Sequence, residues 1–202
     1  MSATMSRNDQ RLWKSAKTLA DLGELTAQWL EGTIASQPGY EPGFGPDEET
    51  SHLVPSLAAL CRAKFVTTCS QPGEASTGPD GRVWEQRAAV EGIVAPELVD
   101  LLIGVATDAG LIVRVNDHSR RRNGRQDQPV IVTTWDREPF TVFGGPVSPE
   151  DMAVQWSGLS RRLYSEVAHG TYVAIAAPEY GTAGERLWPT LDRFVNLLKA
   201  TR

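Results

Sequence analysis

Apolar side chains recur along the chain with two different spacings, and these spacings predict where helices and strands form. Between residues 12 and 30 the apolar positions are three or four residues apart, as on one face of a helix: Leu19, Leu22, Leu25 and Trp29. Gly32 then predicts the end of that helix. Similar spacing predicts helices near 50–62, 96–109, 148–167 and 187–198. We expect Thr50 or Ser51 to cap the second helix, and Ser148 to cap the helix that follows it at Pro149.

Short runs of β-branched and aromatic residues predict the strands. They are Phe65–Ser70, Val83–Val94, Leu111–Val115, Val130–Trp135, Phe140–Phe143 and Thr171–Ala176. Helices and strands follow one another without strict alternation. This order predicts an α/β (α+β mixed) fold with a single mixed β-sheet covered by helices. No break in composition indicates a second domain, so we expect a flexible N-terminal tail at 1–11 and one domain at 12–202.

Composition adds limits on the class of protein. The 202 residues are 41% hydrophobic and 22% charged, with a formal charge of −5, which is ordinary for a globular protein. The negative charge disfavours nucleic acid as a partner, and no apolar run is long enough for a membrane span. The polar N-terminus lacks the apolar core of a signal peptide, so we expect a cytoplasmic protein. Cys61 and Cys69 are expected to be ordinary buried thiols.

Familiar catalytic motifs do not occur in this sequence. There is no GxGxxG, GxxxxGK[ST], HExxH or GxSxG segment, and the three histidines are far apart. Glu49, Glu85 and Glu91 are among many carboxylates that sequence alone cannot pair into an acid–base couple. The polar segment 117–128 contains four arginines. We interpret it first as a solvated loop and second as a phosphate-binding site. The six tryptophans are interpreted first as packing residues and second as ligand-stacking groups.

Two segments carry a family signature. Asp47–Gly73, DEETSHLVPSLAALCRAKFVTTCSQPG, resembles the PETS-helix-NRxG-[IV]LT-x-NSQP run of the C-terminal regulatory domain of eukaryotic methylenetetrahydrofolate reductase. Val83–Val94, VWEQRAAVEGIV, is similar to that domain's aromatic-QKAYLEFF strand. Weaker matches follow in the same order, including VTTW at 132–135, PFTV at 139–142 and LWPTLDRFVNLL at 187–198. Together they cover about residues 12–198.

The resemblance implies a domain that binds S-adenosylmethionine or S-adenosylhomocysteine and performs no chemistry itself. Matching the motifs residue by residue implies ligand contacts from Glu49, Thr50, Thr67, Ser70, Thr134 and Thr141. It also implies a homodimer, and no flavin, because the flavin and folate sites of that family lie on a barrel that the match does not include. The Asn positions of the two motifs are Cys61 and Cys69 here.

The residues themselves fit such a ligand. Free backbone N–H groups at a helix start near Glu49 would favour a carboxylate. Threonine and serine hydroxyls both donate and accept, which suits a zwitterion. The plainer interpretation is that Thr50 or Ser51 is only a helix cap and Thr67 only a strand residue.

Three function classes therefore remain open. The first is a binding module for an adenosyl compound or related nucleoside, acting through its own dimer or through an unknown protein partner. The second is an enzyme of specialised metabolism that uses the same pocket, with Glu49 or Glu91 as acid–base candidates. The third is a scaffold protein whose pocket is vestigial.

Overall fold

The computed structural model describes residues 4–117 and 127–200 of the chain. The helices are α1 (Arg7–Ser15), α2 (Leu19–Leu30), α3 (Val54–Arg62), α4 (Val99–Asp108), α5 (Pro149–Gln155), α6 (Arg161–His169) and α7 (Leu187–Ala200). The strands are β1 (Phe65–Pro72), β2 (Ala75–Thr77), β3 (Val83–Val94), β4 (Ile112–Asp117), β5 (Val130–Trp135), β6 (Glu138–Phe143) and β7 (Thr171–Tyr180). The arginine-rich segment 118–126 lies outside the described residues.

Strand β3 is the centre of the sheet. The strand order is β4-β7-β3-β5-β6, and β1 and β2 also pair with β3. The N-terminal part of β3 pairs with β2 and β5, and the rest pairs with β1 and β7; all the described pairs are antiparallel. The predicted fold class is confirmed, because one seven-stranded sheet is combined with helices in a mixed α/β fold. The sheet itself is antiparallel in all its described pairs, rather than mixed as expected.

The apolar content of β3 and β7 explains their central place. β7 buries seven consecutive residues, Thr171 to Ala177, and β3 is buried almost continuously from Ala88 to Val94. A strand covered on both faces needs such an unbroken apolar run. The main core cluster joins the sheet to the helices, while a smaller cluster joins the β5–β6 hairpin to small residues of β3 and β7: Val130, Val132 and Phe143 pack with Ala89, Ala174 and Ala176.

The N-terminal prediction needs a correction. The sequence places residues 1–11 in a tail, but α1 begins at Arg7 and buries Asp9 and Trp13. The predicted first helix is also two helices: Ser6 caps α1, and Thr18 forms a capping box with Asp21 that starts α2. Side-chain acceptors at Ser6 and Thr18 satisfy the first free N–H groups of each helix, so two short helices replace one long one.

The helix predicted at 148–167 is likewise divided. Ser148 is its N-cap as predicted, but α5 ends at Gln155 and α6 starts again after Ser160. Gly158 in the link has φ +87°, and the Ser160 hydroxyl accepts the Leu163 N–H and donates to the carbonyl of Ala16. Continuous helical spacing did not reveal this break, because the apolar residues on both sides, such as Trp156 and Leu163, are buried in one core.

The remaining differences concern the ends of elements. β1, β6 and β7 extend beyond their predicted bounds, and β2 occupies part of a segment whose composition predicted a loop. Leu101 of α4 is 40% exposed. Among the described helices, none has the length and apolar content required to cross a membrane.

Candidate functional site

A cleft of about 260 Å³ opens beside strand β1. Its walls come from the end of α2, the loop between α2 and α3, β1 and β6. The residues that line it include Trp29, Gln37, Tyr40, Asp47, Glu49, Thr50, Thr67, Cys69, Ser70, Thr141 and Phe143. We call it the acidic cleft, because Asp47 and Glu49 line it and none of the described lining residues is Lys, Arg or His.

Five of the six residues indicated by the sequence meet in this cleft. Glu49 and Thr50 come from the loop side, Thr67 and Ser70 from β1, and Thr141 from β6. These residues are separated by up to 92 positions (141 − 49), so only the fold brings them together.

Thr134 does not line the cleft. It pairs in register with Glu85 of β3 and with Pro139 of β6, and its buried hydroxyl has no hydrogen-bond partner among the described residues. The register of the β5–β6 hairpin shifts between Thr133 and Thr134. A shift of one residue changes which side chain faces a given side of a strand, and sequence spacing cannot reveal it.

The expected helix cap is wrong. A 3-10 turn spans Glu48–Leu53 before α3, and its N-cap is Asp47 rather than Thr50 or Ser51. Thr50 lies inside the turn, where its hydroxyl and its backbone N–H both donate to the carbonyl of Asp47, at 2.9 and 3.0 Å. The N–H group of Thr50 is therefore already used, and the carboxylates nearby oppose an anion at this position.

The charge of Glu49 has no basic partner among the described residues. Burial in the cleft wall raises the pKa of its carboxyl, the negative charges of Asp47 and Glu74 raise it further, and a hydrogen bond with the Gln86 side chain acts in the opposite direction. The residue itself remains exposed to solvent. A cation bound in the cleft would relieve this repulsion, whereas an anion would increase it.

Two aromatic rings form one wall. Trp29 and Tyr40 lie edge to face with their ring centroids 5.2 Å apart. The Trp29 indole donates to the carbonyl of Phe44, and the Tyr40 hydroxyl donates to Asp47 over 2.9 Å. Burial and this bond raise the pKa of Tyr40 to about 12, so its hydroxyl stays protonated. Aromatic faces next to carboxylates are typical of sites for organic cations.

The two cysteines differ from the prediction in one respect. Cys61 is buried, and its sulfur lies 3.4 Å from the Thr67 hydroxyl, but Cys69 is exposed. Cys69 lines the acidic cleft, among the atoms of its walls. Burial there raises the pKa of Cys69 to about 11, with further contributions from the charges of Glu91 and Asp47. The thiol stays protonated at neutral pH and is a poor nucleophile.

Glu91 lies on β3 opposite Cys69. Its Oε2 accepts the backbone N–H of Gly144 over 2.8 Å. Burial raises the pKa of Glu91, and the bond from Gly144 lowers it by a smaller amount. Burial and then the Glu91 charge raise the pKa of Tyr172 as well.

Sequence reasoning did not identify Gln37, Tyr40 and Asp47 as site residues. The segment 36–47 is rich in glycine and proline, which predicts an irregular loop. This composition does not indicate that side chains of the loop form a wall of the acidic cleft. Loops held on a rigid scaffold commonly carry binding residues, and this is the signal that could have directed attention to Tyr40.

The described residues contain no group of three or more His, Cys, Asp or Glu side chains placed to hold a metal ion.

Residues 8–198 match the family described as Domain of unknown function (DUF6919), and since this is nearly the whole chain, the protein belongs to that family. No curated protein matches the chain.

Proposed function

We propose that this member of the DUF6919 family is a small-molecule-binding module, and that its ligand is S-adenosylmethionine, its demethylated product or a related nucleoside. The observation that carries the proposal is the meeting of Glu49, Thr50, Thr67, Ser70 and Thr141 in one acidic cleft. These are five of the six residues implied by the resemblance to the methylenetetrahydrofolate reductase regulatory domain.

Charge is the first support. S-adenosylmethionine carries a sulfonium and an amine, both cationic, and the cleft offers Asp47 and Glu49 with no basic side chain among its described lining residues. The rings of Trp29 and Tyr40 add polarisable surface to the same wall. A methylated sulfur needs this combination of negative charge and apolar contact, since it cannot donate a hydrogen bond.

The hydroxyl groups are the second support. Ser70 and Thr141 are partly exposed in the cleft, and Thr67 is buried at its edge. Hydroxyls can donate to the carboxylate of an amino acid and accept from its amine. The volume, about 260 Å³, is slightly below the range of roughly 300–1,000 Å³ that is usual for drug-sized ligands. We therefore expect this cleft to hold only one end of the ligand.

Titration calorimetry with S-adenosylmethionine and S-adenosylhomocysteine tests the proposal, with Glu49→Gln as the diagnostic variant. If Glu49 faces the sulfonium, the variant weakens S-adenosylmethionine by about 1 kcal/mol, or roughly fivefold, because a solvent-reached charge pair is partly screened. S-adenosylhomocysteine lacks the charged sulfur and should lose less. If Glu49 faces the amine, both ligands weaken alike, because both retain it.

Glu48→Gln is the matched control, since Glu48 is the neighbouring exposed carboxylate and does not line the cleft. It should leave both affinities unchanged. Failure of the wild-type protein to bind either compound at millimolar concentration would contradict the adenosyl proposal. It would favour the alternative of a scaffold protein whose pocket is vestigial.

A second candidate function is catalysis on the same ligand. It is favoured by the raised pKa values of Glu49 and Glu91, since carboxyls perturbed by burial beside a cleft are common in active sites. Incubation with S-adenosylmethionine followed by mass spectrometry of the small molecules decides between the two: an altered product that disappears in Glu49→Gln and Glu91→Gln indicates an enzyme. The binding proposal requires neither a flavin nor any other cofactor, and we expect no flavin absorbance from the pure protein.

A further inference from the structure

A second cavity, of about 590 Å³, lies next to the acidic cleft. Gln37 and Tyr40 line both cavities, so the two cavities meet at these residues. The other residues of the second cavity come from α1, from the segment 38–42 and from the link between α5 and α6: they include Met5, Trp13, Lys14, Pro38, Pro42 and Leu159. We call it the Gln37 cavity.

Gln37 has an unused acceptor. Its side chain is 6% exposed, and its Oε1 has no hydrogen-bond partner among the described residues. A buried carbonyl oxygen left without a donor costs about 1–3 kcal/mol. Such groups in folded proteins usually bond to a water or a ligand, so Gln37 marks a point where a bound N–H or O–H would be stabilised.

The segment that carries Gln37 is held on both sides. The carbonyl of Ser36 accepts the Trp13 indole N–H over 2.8 Å, and the Ser36 hydroxyl accepts the N–H of Gly43 over 3.0 Å. Gly39 has φ +75°, and a Cβ there would lie 2.5 Å from the carbonyl oxygen of Gln155. Gln37 therefore sits on a fixed backbone, which lowers the entropy lost when a ligand binds to it.

The chemistry of the Gln37 cavity differs from that of the acidic cleft. Lys14 is the one charged side chain among its described lining residues, and much of the rest is proline, aromatic or aliphatic surface. The Trp13 indole N–H is already bonded to Ser36, so that ring offers an apolar surface. Gln10 and Ser157 add polar groups to the lining. Aromatic and proline surfaces beside the unused acceptor of Gln37 suit an uncharged planar ring that carries an amino group.

We propose that the two cavities form one bipartite site, in which the acidic cleft takes the cationic end of the ligand and the Gln37 cavity takes an amino-substituted heteroaromatic ring. Oε1 of Gln37 accepts one N–H of the exocyclic amine. The identification of this ring as adenine rests on the function proposed above. The chemical class of the ring rests instead on the lining of the Gln37 cavity.

The first experiment compares S-adenosylhomocysteine with its analogue that lacks the exocyclic amine, by calorimetry on the full chain. The wild-type protein should prefer the amine by about five- to tenfold, the effect of one neutral hydrogen bond. In Gln37→Met, which keeps the length of the side chain and removes the acceptor, the preference should fall to about one. Gln28→Met, on α2 and outside both cavities, should keep the wild-type preference. Equal wild-type affinity for both compounds would overturn the role of Gln37 and leave the adenosyl function standing.

The second experiment separates the two proposals. Adenine and unsubstituted purine are titrated as fragments while the Trp13 indole N–H resonance is followed by NMR, with the buried Trp156 resonance as reference. Adenine should shift the Trp13 signal at lower concentration than purine, and Gln37→Met should remove that difference. If adenine behaves this way but S-adenosylmethionine does not bind, the proposed function fails and the ring subsite stands. If S-adenosylmethionine binds but adenine does not shift the Trp13 signal, the subsite is overturned.

Discussion

The backbone N–H of Gly144 donates to Oε2 of Glu91 over 2.8 Å, which joins the residue after β6 to the middle of β3. Gly144 has φ +74°, and a Cβ there would lie 2.7 Å from Cβ of Arg114. The side chain of Asn116 donates to the carbonyl of Gly144 as well. Glu91 thus accepts a hydrogen bond from a tightly packed turn that also contacts Arg114 and Asn116.

Glu91 makes the stability of the protein depend on pH. Burial raises the pKa of its carboxyl, so the folded protein keeps the proton at a pH where the unfolded chain has released it. The free energy of unfolding should therefore fall as pH rises from the ordinary glutamate pKa through the raised one. Glu91→Gln should be more stable than wild type at pH 8 and should lose that advantage at pH 4. Urea unfolding at both pH values measures this; a larger advantage at pH 4 would contradict it.

Hydroxyl groups in the acidic cleft should contribute to ligand affinity. Thr67→Val and Ser70→Ala should each weaken binding of both adenosyl compounds by about 1 kcal/mol, the usual net value of a neutral hydrogen bond. Thr134→Val is the control, since Thr134 is outside the cleft and its buried hydroxyl has no partner among the described residues. Calorimetry should show unchanged affinity for this control. Loss of affinity in Thr134→Val instead would place the ligand elsewhere.

Two helical glycines should respond in opposite ways to alanine. A Cβ at Gly23 of α2 would lie 2.0 Å from the carbonyl oxygen of Cys61, so Gly23→Ala must move α2 away from α3. We expect a loss of about 2–3 kcal/mol in the free energy of unfolding. Gly104 of α4 has no atom within 4 Å of such a Cβ, and Gly104→Ala should gain about 0.5–1 kcal/mol from helix propensity. Chemical denaturation of both variants provides the comparison.

An exposed apolar surface on the β5–β6 hairpin is the place where we expect the homodimer to form. Phe140 is 67% exposed and Val142 50%, and Trp84 contacts both Phe140 and Trp135 edge to face, at 5.2 and 5.4 Å between ring centroids. β6 also ends the described strand order. Phe140→Ser should shift a dimer toward monomer in light scattering because the apolar contact is lost.

The control for this surface is Val154→Ser, which changes an exposed apolar residue on α5 and should leave the mass unchanged. A wild-type mass of 22.0 kDa at every micromolar concentration would rule out the dimer.

The sequence by itself determined most of the regular elements and their class. β3 has the bounds Val83–Val94 that its apolar pattern predicts, and β5 those of Val130–Trp135. The apolar pattern and the turn residues determine the bounds of an element locally, so a short segment of sequence is enough to predict them. The helix start at Ser148 is readable for the same reason, because a cap needs only residues three positions apart.

Tertiary structure decided what the local pattern could not. The break between α5 and α6 depends on Ser160 bonding to Ala16, which lies 144 residues away in sequence. The sequence indicated both Thr134 and Thr141 as ligand contacts, but only Thr141 lines the cleft, and its partner on β5 is Thr133. Among the described residues, Gln37 Oε1 has no hydrogen-bond partner and Glu49 has no basic partner, while Tyr40 donates to Asp47. These relations depend on which distant segments meet, since burial and charge are properties of the assembled site.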